Sequence, residues 1–427
     1  MEPQQRLLSL DILRGITIAG MILVNNPGDW GNVYAPLLHA KWHGCTPTDL
    51  VFPFFLFMVG VSIAIALGKR KDQGDDPKAM YRKIGGRTLS IFGLGLFLTA
   101  FPHFKYEGTP LLQTVHYVLM GVLMLSVFAS EAHGSNRLLR NLIWGSAAGM
   151  LVIGLSGHYH LGTLRIPGVL QRIALVYGIT SIIFLHVSVR GQALLGTGLL
   201  LLYWGLMALV PVPGGIAPNL EPDTNLGAWL DRAILGTSHL WSQSKTWDPE
   251  GLLGTIPAVG TGLVGVLSGE LLRSALRPVE KCKWLLISGV VLVVLGQVWN
   301  LVFPINKALW TSSYVLYAGG LAQLALALIY WVVDISGIRG WGLPFRIYGV
   351  NALFAFALSG IFAKLLSAIK WQDAAGEAQT LKGWLYEGFF TPFLSPVNAS
   401  LAFALFNVAV LFLCCWGLYR KNIFIKV

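Results

Sequence analysis

Long apolar segments separated by polar connections dominate this sequence. An α-helix of about 20 residues crosses the hydrocarbon core of a bilayer, and lipid offers the backbone no hydrogen-bond partners, so these segments are predicted to be helices. We predict an all-α, polytopic membrane bundle of about twelve spans, or eleven if one weak segment does not cross. The predicted spans are 8–25, 49–68, 84–101, 114–131, 139–156, 167–187, 193–210, 252–273, 283–303, 311–335, 347–369 and 397–418.

Composition narrows the class of protein further. Of the 427 residues, 55% are hydrophobic and 12% are charged, against about 25% charged in soluble domains. This excludes a soluble globular enzyme and a disordered chain, and four cysteines without a CxxC pair do not support a disulfide scaffold. The first apolar segment has no small-residue cleavage site, so we expect it to stay as a helix.

Basic residues are distributed unevenly between alternate connections. The net charge is +11, from 31 Lys+Arg and 20 Asp+Glu. With the N-terminus inside, the inner connections together with the inner ends of the spans hold 20 of the 31 basic residues. The outer connections hold eight, and three lie deeper within the spans. The positive-inside rule then predicts cytoplasmic N- and C-termini in a bacterial inner membrane. This placement favours membrane lipid, and not nucleic acid, as the partner of the excess charge.

Three long loops are predicted to face outside, at 26–48, 211–251 and 370–396. Loops of this length are uncommon in compact proteins unless they have a function. The spans do not form two matching halves, which disfavours an inverted-repeat transporter.

Polar residues at membrane depth are costly and usually face the protein interior. Asp11 and Arg14 are three apart on the first span and can pair, either as an interfacial ion pair or as part of a charged cytoplasmic mouth. Asn351 lies near the inner end of the eleventh span, where it can line a path or form an interhelical hydrogen bond.

Asn25, His39 and Asp49 are predicted to cluster where the first two spans meet on the outer side. Imidazole suits proton transfer near neutral pH and can also accept an acyl group. An asparagine can stabilise an oxyanion, and an aspartate can fix the imidazole tautomer. The alternative is that His39 and the nearby His43 only cap a helix end.

Further polar groups mark the outer ends of later spans. An arginine one turn into the membrane is costly unless it is paired or faces water, and carboxylates beside a helix start can be simple caps. These groups contain Arg165, Gln171, Arg172, Asp248, Glu250, Asn306 and Lys307. No P-loop, no GxGxxG between a strand and a helix, and no HExxH pattern occurs. The His39–His43 spacing lacks a suitably placed carboxylate, so no metal is expected.

Together these segments resemble the bacterial relatives of the heparan-α-glucosaminide N-acetyltransferases, within the wider transmembrane acyltransferase group that contains the YeiB-type proteins. The resemblance rests on residues 9–15, 24–25, 39–42, 49–53, 165–172, 248–255, 306–313 and 349–351. It runs in order over nearly the whole chain, so residues 1–427 are expected to form one transmembrane acyltransferase domain. Residues 114–156 look like an inserted helical hairpin, and His43 stands where relatives often have a small or amide residue.

The resemblance implies a transmembrane N-acetyltransferase that moves an acetyl group from cytoplasmic acetyl-CoA to the amine of a glucosamine-type sugar on the periplasmic side. His39 matches the family's active-site histidine and Asn25 its asparagine, with Asp49 orienting an imidazole. The family mechanism is described either as an acetyl-histidine intermediate or as direct transfer with histidine as the base, and both remain open. A homodimer is compatible with the resemblance.

The remaining polar residues are then assigned to the two substrates. The CoA thioester is expected to bind near Asp11, Arg14, Arg87, Arg346 and Asn351. The amino-sugar acceptor is expected to bind near Trp42, Arg165, Gln171, Arg172, Asp248, Glu250, Asn306 and Lys307. The alternative function is a multi-pass transporter or exporter of an amino sugar or cell-wall fragment, without covalent chemistry; a non-catalytic scaffold leaves the outer polar groups unexplained.

Overall fold

The computed structural model describes residues 7–100, 110–133, 137–154, 156, 161–372 and 376–425. It contains fifteen α-helices within these ranges, together with a two-stranded antiparallel hairpin, β1 Lys370–Gln372 and β2 Ala378–Thr380. The helices are α1 Leu8–Asn25, α2 Pro47–Asp72, α3 Pro77–Ala100, α4 Pro110–His133, α5 Arg137–Ile153, α6 Val169–His186, α7 Val189–Leu209, α8 Leu226–Leu235, α9 Thr255–Arg273, α10 Pro278–Asn300, α11 Ser312–Tyr330, α12 Leu343–Val350, α13 Ala352–Ala368, α14 Leu381–Phe389 and α15 Pro396–Arg420.

Eight helices in the described part are long and apolar enough to cross a membrane: α1, α2, α6, α7, α9, α10, α11 and α15. A ninth candidate is the bent pair formed by residues 340–350 and α13, which meet at 71°. The predicted all-α, polytopic membrane class is therefore supported, whereas the total of about twelve spans stays a prediction. Residue 101 of the predicted span 84–101 and residue 155 of the span 139–156 lie outside the described residues.

The loops predicted to be long contain short elements of their own. Helix α8 lies within 211–251, and β1, β2 and α14 lie within 370–396. Helices α4 and α5, which correspond to the predicted hairpin 114–156, pack against each other; residues 134–136 and 155 of that hairpin lie outside the described residues.

Glycines allow the central helices to touch backbone to backbone. A Cβ at Gly60 of α2 would lie 2.0 Å from the carbonyl oxygen of Gly262, and one at Gly265 of α9 would lie 2.0 Å from that of Phe57. Small residues permit this approach in membrane helix pairs, which are held by close packing. Helices α2 and α9 thus form one of the most extensive contacts in the bundle.

Connections at the two ends of the bundle bring distant segments together. We call the end that contains the connections 26–46, 211–254 and 301–311 the His39 end, and the opposite end the Arg14 end. At the His39 end, the backbone N–H of Gly44 donates to the carbonyl of Ile305 at 2.7 Å, which joins the first of these connections to the last.

Candidate active site

Asp49 is fixed by the first turn of α2. The Thr-Pro-Thr-Asp sequence at 46–49 places threonine at the helix N-cap and proline at the first helical position, a pattern that favours helix initiation. The Asp49 Oδ2 atom accepts hydrogen bonds of 3.0 Å from the backbone N–H groups of Thr46 and Ala40 and from the Thr46 hydroxyl. The buried carboxylate therefore has only Oδ1 left for another partner.

That partner is His39. The Nδ1 atom of His39 lies 2.7 Å from Asp49 Oδ1. Since an ionised carboxylate only accepts hydrogen bonds, Nδ1 carries the proton and Nε2 keeps its lone pair. The imidazole is 48% exposed, so Nε2 has access to a ligand from outside the protein. This arrangement suits general-base or nucleophilic chemistry at Nε2.

Lys307 completes the group around the imidazole. Its Nζ lies 3.2 Å from Nδ1 and 3.3 Å from Nε2 of His39, and 3.8 Å from Asp49 Oδ1. Burial lowers the pKa of Lys307, although the charges of Asp49 and Glu250 oppose that shift. Lys307 thus joins the predicted His39–Asp49 pair as a third residue, although it lies 268 residues after His39 in the chain.

Cys45 lies beside this group but does not provide a nucleophile. Burial, followed by the charge of Asp49, raises the pKa of the Cys45 thiol to about 12. The thiol stays protonated near neutral pH, whereas the thiolate is the reactive form of cysteine.

Asn306 organises the connection that carries Lys307. Its Oδ1 accepts from the backbone N–H of Leu309 at 2.9 Å, and its own N–H donates to the Thr311 hydroxyl at 3.0 Å. Its Nδ2 lies 3.4 Å from Nδ1 of the exposed His43. The fully buried Asn306 therefore holds the loop and also reaches the His39 connection.

Arg165, Asp248 and Glu250 form a closed ion cluster. Arg165 donates to the two carboxylate oxygens of Asp248 at 2.8 and 2.6 Å and to Glu250 Oε2 at 2.5 Å. Burial alone would lower the pKa of Arg165, but the hydrogen bond that it donates to Asp248 and the charge of Glu250 raise that pKa above its ordinary value. Both carboxylates thus have a protein cation as partner, and the cluster binds the start of α6 to the start of α9.

Arg172, one turn into α6, is bound by backbone oxygens. It donates to the carbonyls of Pro249 and Gly251 at 2.9 and 2.8 Å, and its guanidinium lies 5.1 Å from the Trp310 ring centre. The neighbouring Gln171 is buried, and its Nε2 has no hydrogen-bond partner among the described residues. The contacts of Arg172 offset the free energy required to bury its charge at membrane depth.

Asp231 is a further residue near the site that the sequence pattern does not indicate. It lies on α8, a short helix within an outer loop. It lines, with Arg172, Tyr203 and Asp248, a cavity of about 20 Å³, enough room for a water molecule. Burial raises the pKa of Asp231 to about 6, partly opposed by the hydrogen bond from the N–H of Leu252.

Replacing Asp231 with asparagine is expected to stabilise the protein more at pH 7.5 than at pH 5. The raised pKa means that ionised Asp231 costs the folded state up to about 3 kcal/mol above pH 6, and nothing well below pH 4, where the carboxyl is protonated in both states. The difference in unfolding free energy between variant and wild type, measured in detergent, should be about 1–2 kcal/mol smaller at pH 5. A pH-independent difference would contradict this assignment.

Three tryptophans pack beside the candidate site. The rings of Trp42 and Trp247 meet edge to face at 5.1 Å, as do those of Trp247 and Trp241 at 5.5 Å. Trp42 Nε1 donates to the carbonyl of Leu220 at 2.9 Å. Trp42 therefore links the His39 connection to the loop around α8.

Asn25 is the last residue of α1 and is exposed. In the described part of the chain it forms no hydrogen bond with His39, Asp49 or Lys307. The following connection is tied to α15, because the N–H of Gly28 donates to the Ser400 carbonyl at 3.2 Å.

The predicted donor-site residues at the Arg14 end fall into separate groups. Arg14 lies 3.5 Å from Asp11 and donates to Ser62 at 2.9 Å and to the carbonyl of Gly349 at 3.3 Å. Arg87 is exposed on α3, 5.0 Å from the Tyr177 ring.

Arg346 and Asn351 contact the last described residues of the chain. The Arg346 guanidinium lies 5.9 Å from the Tyr419 ring. The buried Asn351 donates to the carbonyl of Ile423 at 3.1 Å and accepts from the N–H of Ile425 at 2.8 Å. Its amide is therefore engaged by a peptide segment that follows α15, and not in the interhelical hydrogen bond considered from the sequence.

Within the described residues, no group of three or more His, Cys, Asp or Glu side chains is arranged to hold a metal ion. The fold and the site together define a polytopic helical membrane protein that presents a carboxylate-oriented imidazole at one end of its bundle.

Comparison with known proteins gives the family. Residues 6–303 match the family model described as heparan-alpha-glucosaminide N-acetyltransferase, catalytic. Human heparan-alpha-glucosaminide N-acetyltransferase is 28% identical over 407 residues, covering 84% of this chain and 53% of the human protein. The mouse enzyme is 26% identical over 401 residues, covering 82% and 53%.

The chain therefore belongs to the heparan-alpha-glucosaminide N-acetyltransferase family, as the sequence resemblance predicted. It spans about half the length of the curated relatives that it matches. The family-model match contains His39, Asp49 and the Arg165 cluster and ends at residue 303, before Lys307.

Proposed function

We propose that this chain is a membrane N-acetyltransferase that transfers the acetyl group of acetyl-CoA to the amine of a glucosamine-type sugar. The observation that carries the proposal is the His39–Asp49 pair, which leaves a solvent-accessible Nε2 lone pair. The names of the human and mouse relatives support the acetyl group and the glucosaminide acceptor.

In the direct route, the sugar amine forms a bond to the thioester carbonyl carbon and gives its proton to Nε2 of His39. The carbon–sulfur bond then breaks, and the leaving thiolate takes the proton back from the imidazolium, which yields CoA and the amide. In the two-step route Nε2 itself first bonds to the acyl carbon and expels the thiolate. The amine then displaces the imidazole, and the proton that the amine loses is taken up by the thiolate, which again yields CoA and the amide. Asp49 holds the productive tautomer in both routes.

Asn25 is the proposed donor to the carbonyl oxygen as negative charge develops there, a contribution of typically about 3 kcal/mol for one such donor. The acceptor is proposed to lie near Trp42, at the face of the tryptophan group. The Arg165 cluster and Arg172 then serve mainly to fix the walls of the acceptor site, because their charges are already paired.

The excess of basic residues in alternate connections supports a cytoplasmic Arg14 end and a periplasmic His39 end. CoA phosphates are proposed to bind at the Arg14 end, near Arg14, Arg346 and Arg87. The pantetheine arm would then extend past Asp11 and Asn351 towards His39.

The experiment is acetyl transfer across a sealed membrane. Acetyl-CoA is trapped inside proteoliposomes and glucosamine is added outside. We expect N-acetylglucosamine outside and free CoA thiol inside, in equal amounts, with no thiol release when glucosamine is omitted. A transporter without covalent chemistry would release no thiol in either case, and product formation only after detergent permeabilisation would contradict transfer across the membrane.

A further inference from the structure

Lys307 lies beside the candidate imidazole, with its Nζ 3.2 and 3.3 Å from the two ring nitrogens. We propose that Lys307 is a catalytic residue whose ammonium faces the carbonyl oxygen of the bound thioester and stabilises the negative charge that forms there. This inference rests on the proposed function and adds a cation to the His39–Asp49 pair.

The position of Nζ relative to the ring leaves Nε2 usable. Distances of 3.2 and 3.3 Å to the two ring nitrogens place the ammonium midway between them, to one side of the ring. It therefore does not lie along the lone pair of Nε2. A carbonyl carbon brought to Nε2, or to an amine hydrogen-bonded to Nε2, places its oxygen within reach of Nζ.

The loop that carries Lys307 is held rigidly. Trp310 is almost fully buried and has a φ of 57°, a conformation that is unusual for a bulky residue and persists only where surrounding contacts enforce it. Its indole N–H donates to Thr261 at 3.1 Å. Together with the Asn306 contacts, this prearranges the ammonium, and prearranged charge is what stabilises a transition state.

Two other cations near the site already have partners. Arg165 is paired with two carboxylates, and Arg172 is bound by backbone carbonyls. In the described part of the His39 end, Lys307 is the cation that contacts the imidazole.

The groups facing Lys307 determine its charge. Asp49 of α2 lies 3.8 Å away, Glu250 acts from the connection before α9, and Cys45 and His39 come from the first connection. The two carboxylates favour the ammonium, while burial favours the neutral amine. We therefore expect activity to be lost at alkaline pH as Lys307 loses its proton.

The test compares Lys307→Met with Lys307→Arg. Methionine keeps the length without the charge, and kcat for acetyl transfer to glucosamine should fall by roughly 10²–10³-fold with little change in the KM for glucosamine. Arginine keeps the charge and should restore kcat to within about tenfold of wild type. It should also move the alkaline limb of the pH–rate profile to higher pH, because guanidinium keeps its proton.

The control for removing a charge at the same end of the protein is Lys370→Met, since Lys370 is an exposed lysine on β1. Thermal unfolding in detergent identifies variants that fail to fold. If Lys307→Met keeps kcat within about threefold while His39→Ala is inactive, Lys307 has no catalytic role but the proposed function stands. If folded Lys307→Arg is as inactive as Lys307→Met, the charge is not what matters and the inference is overturned. An inactive wild type would instead refute the proposed function itself.

Discussion

Replacing His39 with alanine is expected to lower kcat/KM for acetyl transfer from acetyl-CoA to glucosamine by roughly 10²–10⁴-fold, the usual contribution of a positioned acid–base group. The change removes the Nε2 atom that accepts the amine proton or the acetyl group. It should leave folding intact, because the imidazole is 48% exposed. The measurement is CoA thiol release by purified protein in detergent, with unfolding temperature recorded in parallel.

His43→Ala is the matched control for this prediction. His43 lies four residues further along the same connection and is exposed, but its contact is with Asn306 at 3.4 Å and not with a carboxylate. Activity within about threefold of wild type is expected. Full activity of His39→Ala would remove the central assignment of the proposed mechanism.

Replacing Asp49 with asparagine is expected to reduce kcat by roughly 10²–10⁴-fold with little loss of stability. Oδ2 of Asp49 accepts from Ala40 and Thr46, so the amide oxygen of asparagine should take that position and keep the helix cap. The NH₂ group then faces His39 Nδ1 and donates to it. This forces the proton onto Nε2, the tautomer that can neither accept a proton nor attack a carbonyl.

Comparison of kcat and unfolding temperature separates this effect from damage to α2. Asp29→Asn serves as the control, since Asp29 is also a loop carboxylate, which accepts from the Gly31 N–H at 2.9 Å and from Asn32. It should keep near-wild-type activity. An Asp49→Asn variant with normal kcat would mean that Asp49 is only a helix cap.

The membrane class and the His39–Asp49 contact could be predicted because both depend on local sequence. Apolar segment length defines the helices, and Asp49 follows His39 by only ten residues, which keeps the two side chains close. The spacing of Thr46 and Asp49 is also typical of a capping box at a helix N-terminus.

Lys307 was predicted only as an acceptor-binding residue on the outer side. Its contact with His39 depends on how the connection after α10 packs against the one after α1, and no local pattern encodes that. The same limit applies to Asn351, whose partners at 423–425 are separated from it by three helices, α13, α14 and α15. Asp248 and Glu250 were predicted as acceptor ligands, with helix caps as the alternative; the structure pairs both carboxylates with Arg165.

Helix α2, which carries Asp49 at its first turn, has no layer of side chains between it and α9 at Gly60 and Gly265. A shear of one helix along the other would drive backbone carbonyls into each other, so this seam cannot take part in a rocking motion of the bundle. The reactive carboxylate is thus carried by a helix whose position against α9 is fixed, and the imidazole is bound to that carboxylate. Under the proposed function, it is the thioester arm and the sugar that travel, while the catalytic atoms stay in place.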